Sequence, residues 1–261
     1  LLTDNTKNLE SSISFYGEYE ELLEGSNNRM EAPEFDENAR ATTFYTTGTT
    51  GDPKGVCFSH RQLMIHTMSL TSALASSSRQ GCFEKSDVYM PITPMFHVHA
   101  WGMPYVATLL GVKQIYPGRY DPAALISLIQ AEGVTFSHCV PTILHMLLNA
   151  PEAKDADFSQ WKVIIGGAAL SPGLARQALD RGIDVFSGYG LSETCPVLTL
   201  AQIRKEDLHL SVEDQLYFRC KAGRAVPMVE LRIVDSDMKD VPHDGSTIGE
   251  VVVRAPWLTQ G

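Results

Sequence analysis

Paired thiols, basic tracts and long clean apolar runs are all missing from this 261-residue chain. The five cysteines, Cys57, Cys82, Cys139, Cys195 and Cys220, are odd in number and widely scattered, and no C-x-x-C occurs. That excludes a disulfide scaffold and points to a reducing compartment with free, mostly buried thiols, so a cytoplasmic location is expected. Basic residues are scarce, 21 Lys and Arg against 31 Asp and Glu, for a formal charge of -10. A general nucleic-acid binder needs a basic face, so nucleic acid is not an expected partner. An acidic protein can still hold a small anion, because a local cradle of backbone N–H groups suffices. No basic n-region or apolar h-region follows Leu1-Leu2-Thr3, so no signal peptide is expected.

One stretch, Val88 to Val112, carries no Lys, Arg, Asp or Glu. It holds Pro91, Pro94 and Pro104 together with His97 and His99, which makes a poor membrane span. It reads as a buried strand, a loop and a buried helix. No transmembrane segment is expected, which leaves peripheral membrane association and a homodimer open. Hydrophobic residues make up 44% and charged residues 20%, too apolar for disorder. A chain of this length is one or two domains and buries roughly 70–75% of its unfolded surface.

Residues 1–40 are polar and acidic, with a helix expected over Ser14 to Leu23, where Phe15, Tyr19 and Leu22 share a face. From Ala41 short apolar runs alternate with capped helices. Strands are expected at Thr42–Thr46, Asp87–Ile92, Val134–Val140, Val163–Ile165 and Ile183–Ser187. Helices are expected from Ser59 to about Ser72, from Asp121-Pro122 to Gly133, from Pro141 to Leu148, and from Ser171-Pro172 to Gly182. A capping residue followed by proline starts a helix, and glycine ends it. This β-α-β-α alternation predicts an α/β fold, a mostly parallel sheet covered by helices. Glu230–Val234 and part of Gly249–Arg254 alternate instead, with turn signals between them, and predict antiparallel hairpins in a small β subdomain. The expected organisation is an acidic lead-in (1–40), an α/β core (41–205) and the start of a β-rich part (206–261). No internal repeat is seen, and Thr259-Gln260-Gly261 reads as a cut, not a natural terminus.

The strongest chemical signal is Tyr45-Thr46-Thr47-Gly48-Thr49-Thr50-Gly51-Asp52-Pro53-Lys54-Gly55. Three glycines let backbone N–H groups approach an anion, four threonine hydroxyls can donate to phosphate oxygens, and Lys54 adds a mobile cation. It is not a Walker A loop, since Gly55 follows the lysine. His97-x-His99 has metal-pair spacing, but no third ligand lies nearby.

The threonine-rich loop resembles the phosphate-binding signature of the adenylate-forming superfamily, which holds acyl-CoA synthetases, luciferases and peptide-synthetase adenylation domains. Gly166-Gly167-Ala168 is similar to the adenine-side loop of that superfamily. Gly188-Tyr189-Gly190-Leu191-Ser192-Glu193-Thr194 is similar to its Y-G-x-[ST]-E motif. Gly223-Arg224-Ala225-Val226-Pro227 and Gly249-Glu250-Val251 resemble its later landmarks, so the likeness runs in order over residues 42 to 261. It implies ATP, Mg²⁺ and CoA as cofactor and co-substrates, and AMP-forming activation of a carboxylate.

By that resemblance Thr46–Gly51, Lys54, Gly166–Ala168, Gly188–Gly190 and Thr194 bind the nucleotide, with Tyr189 stacking on adenine. Thr46 and Glu193 hold the metal, and Thr194 contacts the α-phosphate. Lys54, Thr46, Glu193 and Thr194 stabilise the reacting phosphate. The segment Phe96-His97-Val98-His99-Ala100-Trp101 looks like the fatty-acyl-CoA synthetase branch. There His97 and Gly190 lie beside the acid and Trp101 gates a hydrocarbon tunnel, although a core tryptophan also fits. The expected activity is a fatty-acid–CoA ligase of long- or medium-chain type. An aryl-acid ligase, a carrier-protein-loading adenylation domain and a non-catalytic nucleotide-binding module are the alternatives. The ribose-binding aspartate, the small C-terminal domain with its catalytic lysine, and much of the first subdomain of the family are expected outside these 261 residues. The chain is therefore expected to be inactive alone.

Overall fold

The computed structural model describes residues 19–26, 33–46, 52–77 and 81–259. Contacts divide the chain after Asp36. The first unit contains helix α1 (Tyr19–Glu24), whose residues are all exposed. The expected helix over Ser14–Leu23 lies partly outside the described residues.

The second unit, Glu37–Gly261, is built on a seven-stranded sheet. The hairpin β1 (Arg40–Thr46) and β2 (Lys54–Ser59) stands apart from that sheet and pairs antiparallel, with Thr46 opposite Lys54. The sheet itself comprises β3 (Val88–Pro91), β4 (Lys113–Gln114), β5 (Phe136–Cys139), β6 (Lys162–Ile165), β7 (Asp184–Gly190), β8 (Val197–Leu200) and β9 (Arg224–Ala225). Its order is β4-β3-β5-β6-β7-β8-β9. The first five run parallel, and β8 and β9 close one edge antiparallel. A second hairpin, β10 (Glu230–Val234) and β11 (Glu250–Arg254), forms its own sheet.

Successive strand residues point to opposite faces, and the two apolar clusters follow that period. Tyr89, Phe136, Ile164 and Phe186 face one cluster, whereas Met90, Val163, Ile165 and Val185 face the other. Helices α2 (His60–Ala75) and α3 (Met103–Leu110) cover the first face through Leu63, Leu70, Leu74 and Val106. Helices α4 (Pro122–Glu132), α5 (Pro141–Leu148) and α6 (Pro172–Asp180) cover the second through Ile126, Leu144 and Ala175. The result is the three-layer α/β architecture that the alternation predicts. Helix α7 (Val212–Arg219) lies between β8 and β9.

Local chemistry sets the helix ends. The Ser59 hydroxyl accepts from the Gln62 N–H while the Gln62 side chain accepts from the Ser59 N–H, a reciprocal cap. Asp121 and Ser171 cap α4 and α6 ahead of a proline, and Gly133 ends α4 at φ 65°. The charge-free stretch resolves into β3, a loop and α3. All five cysteines are free thiols, with Cys82, Cys139 and Cys195 buried. No helix among the described residues is long and apolar enough to cross a membrane.

Candidate active site

The described sequence-predicted residues fall after β3, after β6, in and after β7, and at the end of the β1–β2 hairpin. Thr46 and Lys54 close that hairpin, the Thr46 hydroxyl donating to the Lys54 carbonyl at 3.5 Å. Lys54 is exposed. Thr47, Gly48, Thr49, Thr50 and Gly51 lie outside the described residues.

Strand β6 ends in Gly166-Gly167-Ala168. Gly166 is buried, and Gly167 takes φ 74°, a left-handed conformation that glycine adopts without cost. Gly188, Tyr189 and Gly190 continue β7 beyond the expected end at Ser187. At Gly190 a Cβ would lie 1.9 Å from the Pro196 carbonyl oxygen, so no side chain fits. A cavity of about 390 Å³ opens between the two glycine segments, lined by Gly167, Ala168, Ser187, Tyr189 and Gly190. The Ser187 hydroxyl is buried there with no hydrogen-bond partner among the described residues.

After β7 the chain makes a single turn over Ser192–Thr194. The Glu193 carboxylate is exposed and takes no ion pair among the described residues. The Thr194 hydroxyl is buried and occupied by its own turn, accepting from the Leu191 N–H at 2.9 Å and meeting the Leu191 and Pro196 carbonyls. In this conformation its hydroxyl is engaged in holding the turn. The turn is pinned from outside as well. Trp257, fully buried, donates its indole N–H to the Thr194 carbonyl at 3.0 Å. The Thr259 N–H donates to the Glu193 carbonyl and its hydroxyl to the Cys57 carbonyl, joining the Glu193 turn to strand β2. An exposed carboxylate and the Thr46 hydroxyl are hard oxygen donors, the chemistry that suits Mg²⁺.

His97 and His99 do not converge: His97 is exposed and His99 is buried, its Nε2 2.8 Å from the Thr42 hydroxyl. Phe44, Phe58 and Tyr105 surround the His99 ring, and burial lowers its pKa to about 4. The backbone explains the separation. Val98, His99, Ala100 and Trp101 have φ of 48°, 55°, 46° and 61°, followed by Gly102 at 73°. This is a left-handed turn built from four residues that are not glycine, each disfavoured by about 1–2 kcal/mol. Buried Val98, Ala100 and Trp101 hold it in place.

That turn carries the Trp101 indole onto the strand ends. A Cβ on Gly166 would meet the indole Cη2 at 3.0 Å, so glycine there makes room for the ring. Trp101, the expected acid-side residue, therefore meets Gly166 and Gly167, the expected nucleotide-side residues.

Four residues were not anticipated: Trp257, His66, Tyr89 and His138. His66 packs edge-on against Trp257, and burial lowers its pKa to about 3. Each lies in an ordinary apolar segment with no motif around it, so nothing local marks it.

A mostly parallel α/β sheet with glycine segments at its carboxyl ends is an architecture that leaves ligand crevices at the strand ends. The chain matches the AMP-binding enzyme family over residues 3–261, and it belongs to that family. It is 40% identical over 248 residues to a long-chain-fatty-acid–CoA ligase of Thermus thermophilus, covering 94% of this chain and 44% of the relative. A 3-methylmercaptopropionyl-CoA ligase of Ruegeria lacuscaerulensis is also 40% identical over 248 residues, covering 92% of this chain and 44% of the relative. A medium-chain-fatty-acid–CoA ligase of Ectopseudomonas oleovorans is 34% identical over 262 residues, covering 99% and 47%. The inhibitor-bound N-terminal domain of FACL13 from Mycobacterium tuberculosis superposes with a TM-score of 0.77 at 28% identity, covering 92% of this chain and 56% of that one. The chain thus spans somewhat under half the length of these curated relatives.

Proposed function

We propose that this chain is the nucleotide- and acid-binding part of a cytoplasmic AMP-forming fatty-acid–CoA ligase. The observation that carries the reading is the meeting of Trp101 with Gly166 and Gly167, beside the cavity lined by Tyr189 and Gly190. Acid and nucleotide can then share one crevice at the strand ends. In the first half-reaction the acid carboxylate attacks the α-phosphorus of ATP, forming acyl-adenylate and releasing pyrophosphate. The thiol of CoA then displaces AMP. The first step needs no protein nucleophile. It needs two anions held together and the charge on the phosphate compensated.

In this reading Thr46–Gly51 and Lys54 cradle the phosphates. Tyr189 stacks on adenine, with Gly166–Ala168 and Gly188–Gly190 beside it, and Ser187 adds an unused hydroxyl to that cavity. His97, Trp101 and Gly190 border the acid. Mg²⁺, arriving with ATP, would be held by the Glu193 carboxylate and the Thr46 hydroxyl and supplies positive charge to the phosphates. Thr194 reaches the α-phosphate only if its turn reopens; as folded, it sets the position of Glu193. The relatives at 40% identity are named for different acids, so identity does not select a chain length.

The test is ATP–pyrophosphate exchange by the protein at its natural length, with acids from acetate to palmitate. Exchange that requires both an aliphatic acid and Mg²⁺ is expected. ATP binding with no exchange for any acid would make the protein a nucleotide-binding module instead.

A further inference from the structure

Glu193 and Thr46 belong to different elements. Glu193 sits on the turn after β7, and Thr46 ends β1. Mg²⁺ takes oxygen donors in near-octahedral geometry at about 2.0–2.1 Å, so two donors share one ion only if their elements are held in register. The Glu193 side chain is exposed, so packing around the carboxylate does not fix it. Its place depends on what holds the backbone of its turn.

The segment Trp257–Thr259, just beyond β11, holds that backbone. The Trp257 indole N–H donates to the Thr194 carbonyl at 3.0 Å, and the Thr259 N–H donates to the Glu193 carbonyl at 3.1 Å. Two successive carbonyls of the turn are thus taken by one short segment. The same segment grips the junction of β2 and α2. The Thr259 hydroxyl donates to the Cys57 carbonyl at 3.1 Å, and the Leu258 carbonyl accepts from the Gln62 side-chain amide at 2.7 Å. Gln62 is also the residue that closes the reciprocal cap with Ser59. Cys57 lies three residues along β2 from Lys54, about 10 Å of strand, and Lys54 pairs with Thr46. Trp257 is fully buried, with His66 of α2 edge-on against it at 5.4 Å. The segment therefore ties the Glu193 turn to the hairpin that ends in Thr46.

We propose that Trp257 and Thr259 are positioning residues for the cation, a clamp that sets the separation of the Glu193 carboxylate from the Thr46 hydroxyl. The inference rests on the reading above in which those two oxygens hold Mg²⁺, and it adds two residues that act through Glu193. Without the indole N–H the Thr194 carbonyl loses its donor, and the turn is free to move relative to β2. Groups that orient a metal ligand from behind typically matter by about ten- to a hundredfold in metal affinity.

The experiment uses three variants of the natural-length protein. Trp257→Phe keeps a ring in the core and deletes the N–H. Thr259→Val deletes the hydroxyl that meets Cys57 and keeps the backbone N–H. Leu70→Ala is the control: Leu70 is fully buried in the same apolar cluster as Trp257 and makes none of these side-chain hydrogen bonds. The readouts are melting temperature, the Mg²⁺ needed for half-saturation of ATP–pyrophosphate exchange at fixed ATP, and amide hydrogen exchange without ATP or Mg²⁺. The amides to follow are Leu191 and Thr194, which are bonded within the turn. Trp257→Phe should raise the Mg²⁺ half-saturation about tenfold and Thr259→Val about threefold, with rates recovering at saturating Mg²⁺. Both amides should exchange at least about threefold faster in Trp257→Phe. Combined with Glu193→Gln, Trp257→Phe should add no further shift in the Mg²⁺ titration. Leu70→Ala should lower the melting temperature and leave that titration in place.

A folded Trp257→Phe with a wild-type Mg²⁺ titration overturns the clamp, and leaves the cation reading intact where Glu193→Gln does shift the titration. A shift in Leu70→Ala as large as that in Trp257→Phe also overturns it, since general loosening then accounts for the effect. If Trp257→Phe does not fold, Thr259→Val decides by the same readouts. An unchanged titration in Glu193→Gln overturns the cation reading itself, and the role of the clamp with it.

Discussion

Gly166→Ala tests whether the Trp101 indole is seated where the strand ends need it. The backbone at Gly166 is not left-handed, so alanine meets no conformational barrier and only packing opposes it. Its Cβ would lie 3.0 Å from the indole Cη2, 3.1 Å from Cζ3 and 3.1 Å from the Gly188 carbonyl oxygen. Carbon atoms pack best at about 3.5–4.0 Å, so the indole must retreat by roughly 0.5–1 Å. His138 lies directly behind it and limits the retreat. Overpacking of this kind costs about 1–3 kcal/mol, against which the loss of unfolded-state freedom returns about 0.4–1 kcal/mol. The net cost is about 0–2.6 kcal/mol, a melting-temperature drop of up to about 10 °C for a chain of this size. Trp101→Phe removes the benzo atoms that collide, so the pair should couple favourably by about 1 kcal/mol, with full rescue prevented by the Gly188 carbonyl. The assay is thermal and denaturant unfolding of the two single variants and the double variant. A stabilising Gly166→Ala, or strictly additive effects, would refute the seating of the ring.

Glu193→Gln should keep stability within about 0.5 kcal/mol, since the side chain is exposed, while pyrophosphate exchange falls and the Mg²⁺ needed for half-saturation rises. An unchanged Mg²⁺ titration removes Glu193 from the metal. Lys54→Ala should weaken exchange by about 3 kcal/mol of barrier, the scale of one positioned donor, without altering the unfolding curve; a normal exchange rate would leave Lys54 a surface charge. Stability should also decline in acid. His66 and His138 have folded pKa values of about 3, so they stay neutral when folded but take up protons on unfolding below pH 6.5. Their contribution is complete above about pH 6.5 and is lost as pH falls from there toward 3, by about 2 kcal/mol per histidine at pH 5. A melting temperature constant between pH 7 and 5 contradicts that burial, and His138→Gln should flatten the slope.

Much of the architecture was legible because it is written locally. Ser59, Asp121-Pro122 and Ser171-Pro172 bring their own caps, and Gly133 supplies the left-handed stop. These signals span a few residues and do not depend on what packs above them. Strand β2 was missed because it opens on exposed Lys54-Gly55 and shows only Val56 and Phe58 as an apolar alternation. Strand β8 was missed for the opposite reason. Its four residues are all buried and do not alternate, so only pairing with β7 and β9 identifies them as strand.

The site divides along the same line. The glycine segments and the threonine-rich loop stood out because small residues and hydroxyl donors lie close together in sequence there. The left-handed turn did not, since Val98, His99, Ala100 and Trp101 all disfavour that conformation and only Gly102 hints at it. Nothing local pays for it; three buried side chains and the His99–Thr42 hydrogen bond hold it from outside. Strained backbone that persists is characteristic of places where geometry matters more than stability. This turn sends His99 to β1, whose last residue is Thr46, and sends Trp101 to Gly166 at the end of β6. A right-handed turn over the same four residues would send those two side chains elsewhere, and the hairpin and the sheet would lose a segment that touches both beside the site.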